Sequence, residues 1–185
     1  MIDEILNEAD GKMDKSVEAA REEFAAIRAG RAQPSMFNKI TVDYYGTPTP
    51  LQQLASFTAQ DARVILVSPY DFNAMNDVEK AIRESDLGVN PSNDGKLIRC
   101  VFPELTEERR KEYIKVARTK AEEGRVAVRN IRRNAKQELE RLEKDGEVGK
   151  DDVTGAEKRL DGLTKKHTDQ IDEMLKHKEA ELIEV

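Results

Sequence analysis

Tryptophan is absent from this 185-residue chain and cysteine occurs once, at Cys100. A single thiol excludes an intrachain disulfide and any metal cluster built from several cysteines of one chain. Cys100 lies in Ile98-Arg99-Cys100-Val101-Phe102, which reads as a strand, so a small buried thiol is expected there. Histidine occurs twice. His167 and His177 are ten residues apart, not the four that would set a helical pair on one metal, and both are expected on a solvated face or rim. No catalytic constellation emerges from the spacing of Asp, Glu and Ser, and nothing argues for an enzyme. No apolar run approaches the ~20 residues of a membrane span. The acidic start, Met1-Ile2-Asp3-Glu4, lacks the basic and apolar regions of a secretion signal, so the protein is expected to stay in the cytoplasm.

What the chain has in abundance is charge, at 37% of residues, with a mean hydropathy of −0.72. Its length suits one or two small domains. The organising stretch is Thr106 to Lys144, which contains no proline. Tyr113, Ala117, Ala121, Gly124, Val128, Ile131, Ala135, Leu139 and Leu142 recur three and four apart, one face of a helix about 58 Å long. A helix of that length needs partner helices, because helical stability comes mostly from packing an apolar face.

A second stripe lies on the same predicted helix. Arg125, Arg129, Arg132 and Lys136 follow the 4-3-4 spacing one residue on from the apolar stripe, and Arg133 broadens it. One residue is ~100° of rotation, so this basic stripe flanks the buried face and should be exposed. Between Arg109 and Lys136 eleven Lys/Arg stand against three Glu, a net of +8, whereas the chain is −6 and the remainder therefore −14. A basic face on an acidic protein suits a local polyanion such as nucleic acid. The alternative is a solvated helix face with intrahelical ion pairs, although carboxylates thin out after Glu123.

Residues 2–29 carry Leu6, Ala9, Met13, Val17, Ala20, Phe24 and Ile27 at helical spacing, with Gly30 as a left-handed C-terminal cap. Composition then changes. All six prolines and seven of the nine Tyr and Phe residues fall between Arg31 and Glu104, which marks an inserted domain. Within it Ile40, Val42 and Tyr44 alternate as in a half-buried strand, and Tyr45 to Pro50 turn the chain. Val64–Val67 reads as a buried strand, Asn76–Ser85 as a helix capped by Asn76, and Leu97–Phe102 as a further strand. After Gly146 and Gly149, Asp151 or Asp152 caps a last helix carrying Val153, Ala156, Leu160, Leu163, His167, Ile171, Leu175 and Leu182. The expectation is an α+β chain. Residues 1–30 and 105–185 form an elongated antiparallel three-helix bundle, and 31–104 form the insert, joined by two chain crossings that act as a hinge. An intermolecular coiled coil is the competing reading of the helices.

These residues resemble the bacterial ribosome recycling factor family over the whole chain. The likeness is carried by Ile27-Arg28-Ala29-Gly30-Arg31-Ala32 with Pro34, by Tyr44-Tyr45-Gly46-Thr47-Pro48-Thr49-Pro50-Leu51, and by Gln53-Leu54-Ala55. It continues in Ser85-Asp86-Leu87-Gly88 with Asn90-Pro91, in Leu105 to Arg110, in Arg125 to Arg133 and in Lys178-Glu179-Ala180-Glu181-Leu182. The resemblance implies an L-shaped body of roughly transfer-RNA outline, with a small β/α/β domain hinged to a three-helix bundle. It further implies a monomer, without cofactor or membrane, that binds the RNA of the large ribosomal subunit after termination. With elongation factor G and GTP it would split the ribosome, the GTP chemistry belonging to the partner. Arg132 would be the main RNA contact, supported by Arg129, Arg133, Arg125 and Arg28, with Gly30, Arg31, Pro103 and Glu104 as hinge. The loop of Tyr44, Tyr45, Gly46, Pro48 and Pro50 would face elongation factor G. Gly124 and Cys100 depart from the family pattern, which has alanine and valine there. A helical adaptor or chaperone-like protein is the rival function.

Overall fold

The computed structural model describes residues 1–183. The elements are α1 (Ile2–Ala26), β1 (Thr41–Tyr44), β2 (Thr47–Pro50), β3 (Ala55–Asp61), β4 (Val64–Pro69), α2 (Met75–Arg83), β5 (Asn90–Asn93), β6 (Ile98–Val101), α3 (Glu107–Lys144) and α4 (Lys150–Ile183). They divide into two compact units. One comprises Met1–Phe24 with Val116–His177, and the other Ala25–Lys115 with the chain from Lys178.

The first unit is a three-helix bundle. Leu6, Ala9, Met13, Val17, Ala20 and Phe24 of α1 are all buried, as their spacing predicts. From α3 the bundle buries Ala117, Ala121, Val128, Ala135 and Leu139, and from α4 Val153, Ala156, Leu160, His167 and Ile171. Arg125 meets Asp172 and Arg132 meets Asp161, so α3 and α4 run antiparallel. Asp3 meets Arg159 and Asp14 meets His167, so α1 and α4 run parallel. Small residues bring α1 and α3 close: a Cβ at Gly124 would lie 3.5 Å from that of Ala20 and 3.1 Å from Ile171 Cδ1. Gly146, at φ 73°, ends α3. The Gly146 amide donates to the Glu143 carbonyl and Glu147 to Leu142, the paired bonds of a Schellman cap.

The second unit holds a four-stranded antiparallel sheet in the order β3-β4-β6-β5 and a separate β1-β2 hairpin. Its core joins Phe37, Val42, Ile65, Val67, Val78, Ile82, Ile98, Cys100 and Phe102. Phe37 stacks tilted on Phe57 at 5.2 Å and edge-on to Phe102 at 5.9 Å.

Four local expectations are corrected. Thr47–Pro50 is a strand: the turn is only Tyr45 and Gly46, at φ 51° and 81°, the two positive values of a tight I′ hairpin. Tyr44 and Thr47 close that turn as a hydrogen-bonded pair, so Pro48 and Pro50 fall on alternate positions whose N–H would face away from β1. Helix α1 stops at Ala26, and Gly30 is not among the glycines of positive φ, because residues 27–33 run on without regular structure. Asn76 lies inside α2, which continues from a 3₁₀ turn where the Asp71 carboxylate accepts the Asn73 amide. Asp151 and Asp152 occupy the first turn of α4, not its cap, where their charge still favours the helix N-terminus.

Candidate nucleic-acid interface

The basic stripe sits on one continuous helix. The sequence of α3 offers no proline and only one glycine, so Arg125, Arg129, Arg132, Arg133 and Lys136 keep their helical spacing over three turns. Arg129 and Arg133 are exposed, and Arg125, Arg132 and Lys136 are partly so, which agrees with a flank beside the buried face.

The four arginines are not bare. Arg132 Nε donates to Asp161 Oδ1 at 2.7 Å. Arg125 Nε donates to Asp172 Oδ1 at 2.6 Å and its Nη1 to Glu122 Oε2 at 2.8 Å. The other oxygen of Glu122 accepts from Arg129 Nη1 at 3.1 Å. Arg133 Nη2 reaches the side-chain oxygen of Asn130 at 2.8 Å. The guanidinium bonds hold the Glu122 carboxyl below its ordinary pKa, Arg125 contributing most and Arg129 next. Partial burial pulls the Arg125 pKa down, but the bonds to Asp172 and Glu122 more than reverse it. Spacing along α3 found the arginines but not Asp161 and Asp172, which approach from α4. Glu122, three and seven residues before its two partners, was the one carboxylate partner within reach of the pattern.

Arg28 differs from the stripe. It is 6% exposed, its guanidinium donates to the Pro103 carbonyl, and it lies 5.5 Å from the centre of the Phe102 ring. Burial lowers its pKa. The side chain thus ties residues 27–33 to residues 102–106, the two irregular segments on which Gly30, Arg31, Pro103 and Glu104 lie. The Ala32 amide donates to Ala62 and the Phe102 amide to Arg63, anchoring both segments to the β3-β4 turn.

In the hairpin, Tyr44 Oη donates to Asp71 Oδ2 at 2.8 Å and Tyr45 Oη to the same oxygen at 3.4 Å. The bond to Asp71 raises the Tyr44 pKa. Tyr45, Gly46 and Pro48 are exposed, Tyr44 and Pro50 partly buried.

His167 is fully buried, contrary to the rim expected for it. Its Nδ1 meets the Leu163 carbonyl at 2.6 Å, and its Nε2 lies 2.7 Å from Asp14 Oδ1 and 3.4 Å from Asp10 Oδ1. These three residues are the group of described side chains whose donor atoms could hold a metal. The 2.7 Å contact is a hydrogen bond. Cys100 is buried, and burial pushes its thiol up to about 12. Among the described residues no helix is long and apolar enough to cross a membrane.

Residues 20–183 match the family model described as Ribosome recycling factor. The chain is 83% identical to the ribosome-recycling factor of Nocardioides sp. over 185 residues, covering 100% of both chains. It is 65% identical to that of Acidothermus cellulolyticus, again over 100% of both. A solution structure of a ribosome recycling factor aligns with TM-score 0.79 at 38% identity, covering 100% of this chain and 98% of that one. A second similar structure, at TM-score 0.70 and 41% identity with 100% of both chains covered, is a T. thermophilus ribosome recycling factor described with E. coli elongation factor G bound to the E. coli post-termination complex. Because the match runs through the bundle helices and the insert alike, the chain belongs to the ribosome recycling factor family.

Proposed function

We propose that this protein binds the large subunit of the post-termination ribosome in the cytoplasm and, with elongation factor G and GTP, splits it, freeing subunits, mRNA and tRNA for reuse. It is not itself an enzyme in this reading: nucleotide hydrolysis belongs to the partner. The observation that carries the RNA contact is the basic stripe on α3, where Arg129, Arg132 and Arg133 offer planar donor forks suited to phosphate oxygens. Arg125 and Lys136 extend it at helical spacing. Arg28, carried into this set by resemblance, is assigned a supporting role, since its guanidinium is buried against Pro103 and Phe102.

The division of labour follows the expected domains, 1–30 with 105–185 for RNA binding and 31–104 as the arm acted on by elongation factor G. Gly30, Arg31, Pro103 and Glu104 lie in segments without helix or strand, which supports their use as the hinge. Exposed Tyr45, Gly46 and Pro48 support a partner-facing hairpin, with Tyr44 and Pro50 fixing its shape.

The test is light scattering of post-termination ribosomes from the same organism with this protein, elongation factor G and GTP. Scattering should fall only when all three are present, and Arg132→Ala should abolish salt-sensitive binding to large subunits while helicity is retained. A mutant that binds and splits ribosomes normally removes the RNA assignment.

A further inference from the structure

We infer that Glu122, Asp161 and Asp172 are specificity-determining residues: they occupy the arginine stripe as intramolecular stand-ins for phosphate, and an RNA must displace them together. The inference rests on the RNA contact proposed above.

The geometry supplies the stand-in. Each of Arg125, Arg129 and Arg132 already has a carboxylate oxygen at 2.6 to 3.1 Å on at least one of its nitrogens. Those are the contacts a phosphate would make, with the same charge sign and the same acceptor chemistry. Three arginines face three carboxylates, so these six side chains sum to zero before any ligand arrives. The +8 counted along the helix therefore overstates what an approaching polyanion meets at this place.

Exposure makes the arrangement exchangeable. The side chains of Glu122, Asp161 and Asp172 are 52%, 57% and 52% exposed. The pairs at Arg129 and Arg132, whose own side chains are 54% and 38% exposed, are weak and can be given up at small cost, whereas Arg125, at 21%, needs an incoming phosphate to replace its carboxylates directly. Exchange at one arginine swaps a carboxylate for a phosphate and gains little. Gain accumulates only when several arginines change partner at once. Arg125 and Arg132 are seven residues apart, about 10.5 Å along the axis, so the preferred ligand holds several phosphates at that span. Folded RNA does this by its own structure. A flexible polyanion must be ordered on the helix first, and the carboxylates compete with it throughout.

Asp161 and Asp172 come from α4 whereas the arginines are on α3, so the competition depends on the bundle being assembled. Glu122 spans two arginines with its two oxygens, and its loss would release both.

The experiment measures equilibrium binding of the full chain to purified large subunits, and to heparin, at 0.15 M salt. It uses the wild type, Asp161→Asn, Arg132→Ala, the double variant, and Glu173→Gln as a control. Glu173 is exposed and lies twelve residues beyond Asp161 on α4, about 18 Å away, where its charge is screened from Arg132. Asp161→Asn should tighten subunit binding about threefold, from release of one exposed pair, and should tighten heparin binding by a larger factor. Glu173→Gln should change either by less than about half of that factor. In the Arg132→Ala background, read on heparin because subunit binding is lost there, the gain from Asp161→Asn should fall to less than half. Equal effects of Asp161→Asn and Glu173→Gln, a heparin gain undiminished without Arg132, or weaker binding by Asp161→Asn would each overturn the inference. If Arg132→Ala alone leaves subunit binding intact, it is the underlying RNA contact that fails, so the two failures are distinguishable.

Discussion

Replacing Gly124 by alanine sets two opposed effects against each other at one atom. Glycine in a helix interior is less favourable than alanine by about 1 kcal/mol. The added Cβ would make ordinary contacts with Ala20 Cβ at 3.5 Å and Ile171 Cγ1 at 3.8 Å, and a tight one with Ile171 Cδ1 at 3.1 Å. To reach a normal separation Cδ1 must retreat by roughly 0.5 Å, within a close-packed interior. Ile171 is fully buried, but Cδ1 is the end of its side chain and moves by a small rotation. We set that cost at about 0.5 kcal/mol, below the usual range for inserting a methylene, because only one terminal methyl is displaced. The net is a stabilisation of about 0.5 kcal/mol, or 1 to 2 °C in Tm for a chain of this size. Helical circular dichroism during thermal unfolding measures it. Ile171→Val, which removes Cδ1, should cost less in the alanine background than in the wild type, where about 1 kcal/mol is expected. A fall in Tm on Gly124→Ala that Ile171→Val does not recover would refute this reasoning and make the glycine a requirement of the α1, α3 and α4 contact.

Two further outcomes concern the second unit, which contains all four tyrosines, so that in a protein without tryptophan tyrosine fluorescence reports on it selectively. With its thiol at about 12, folded Cys100 stays protonated where the unfolded thiol ionises near its ordinary 9.0, so stability is intact below pH 9 and declines above it. The loss attributable to Cys100 should reach about 1.4 kcal/mol by pH 10, and Cys100→Val should remove that part of the slope in denaturant titrations; an unchanged slope would contradict the buried neutral thiol. Arg28→Ala should destabilise this unit by about 2 to 3 kcal/mol, through loss of a charge-assisted bond and the packing on Phe102. Amide hydrogen exchange at Ala32 and Phe102 should speed up with it, whereas protection unaltered at both would show that Arg28 does not tie the two segments.

The helices could be read from sequence because each buries one continuous stripe, and a stripe is a local property of spacing. All six buried positions of α1 were on its predicted face. The insert was harder, since its elements are short and its sheet is half solvated. Strand β3 buries only Ala55 and half-buries Phe57, too little alternation to mark seven residues as a strand. Strand β5 is Asn-Pro-Ser-Asn and lies at the sheet edge, where proline is tolerated and no apolar pattern is required. Thr47–Pro50 carries two prolines and imitates a turn, and only its register with β1 shows that both occupy positions that need no N–H.

The candidate site divides along the same physical line. Arg125, Arg129 and Arg132 were visible as cations one residue round from a buried stripe, because position on a helix fixes direction. Partnership is a property of two helices at once, and no spacing within α3 announces Asp161 or Asp172. Arg28 makes the complementary case. It has the same side chain as the stripe and sits beside a recognisable helix end, yet it is buried against Phe102 with the Pro103 carbonyl, seventy-five residues away in sequence, as its acceptor. Residue type therefore indicates a capacity to bind phosphate, and only the acceptors already in place decide how it is used. Around the α3 arginines those acceptors are exposed carboxylates, whereas at Arg28 the acceptor is a backbone carbonyl and the guanidinium is enclosed. The first arrangement would let the proposed RNA take the carboxylates' place, and the second suits holding two strands of chain together.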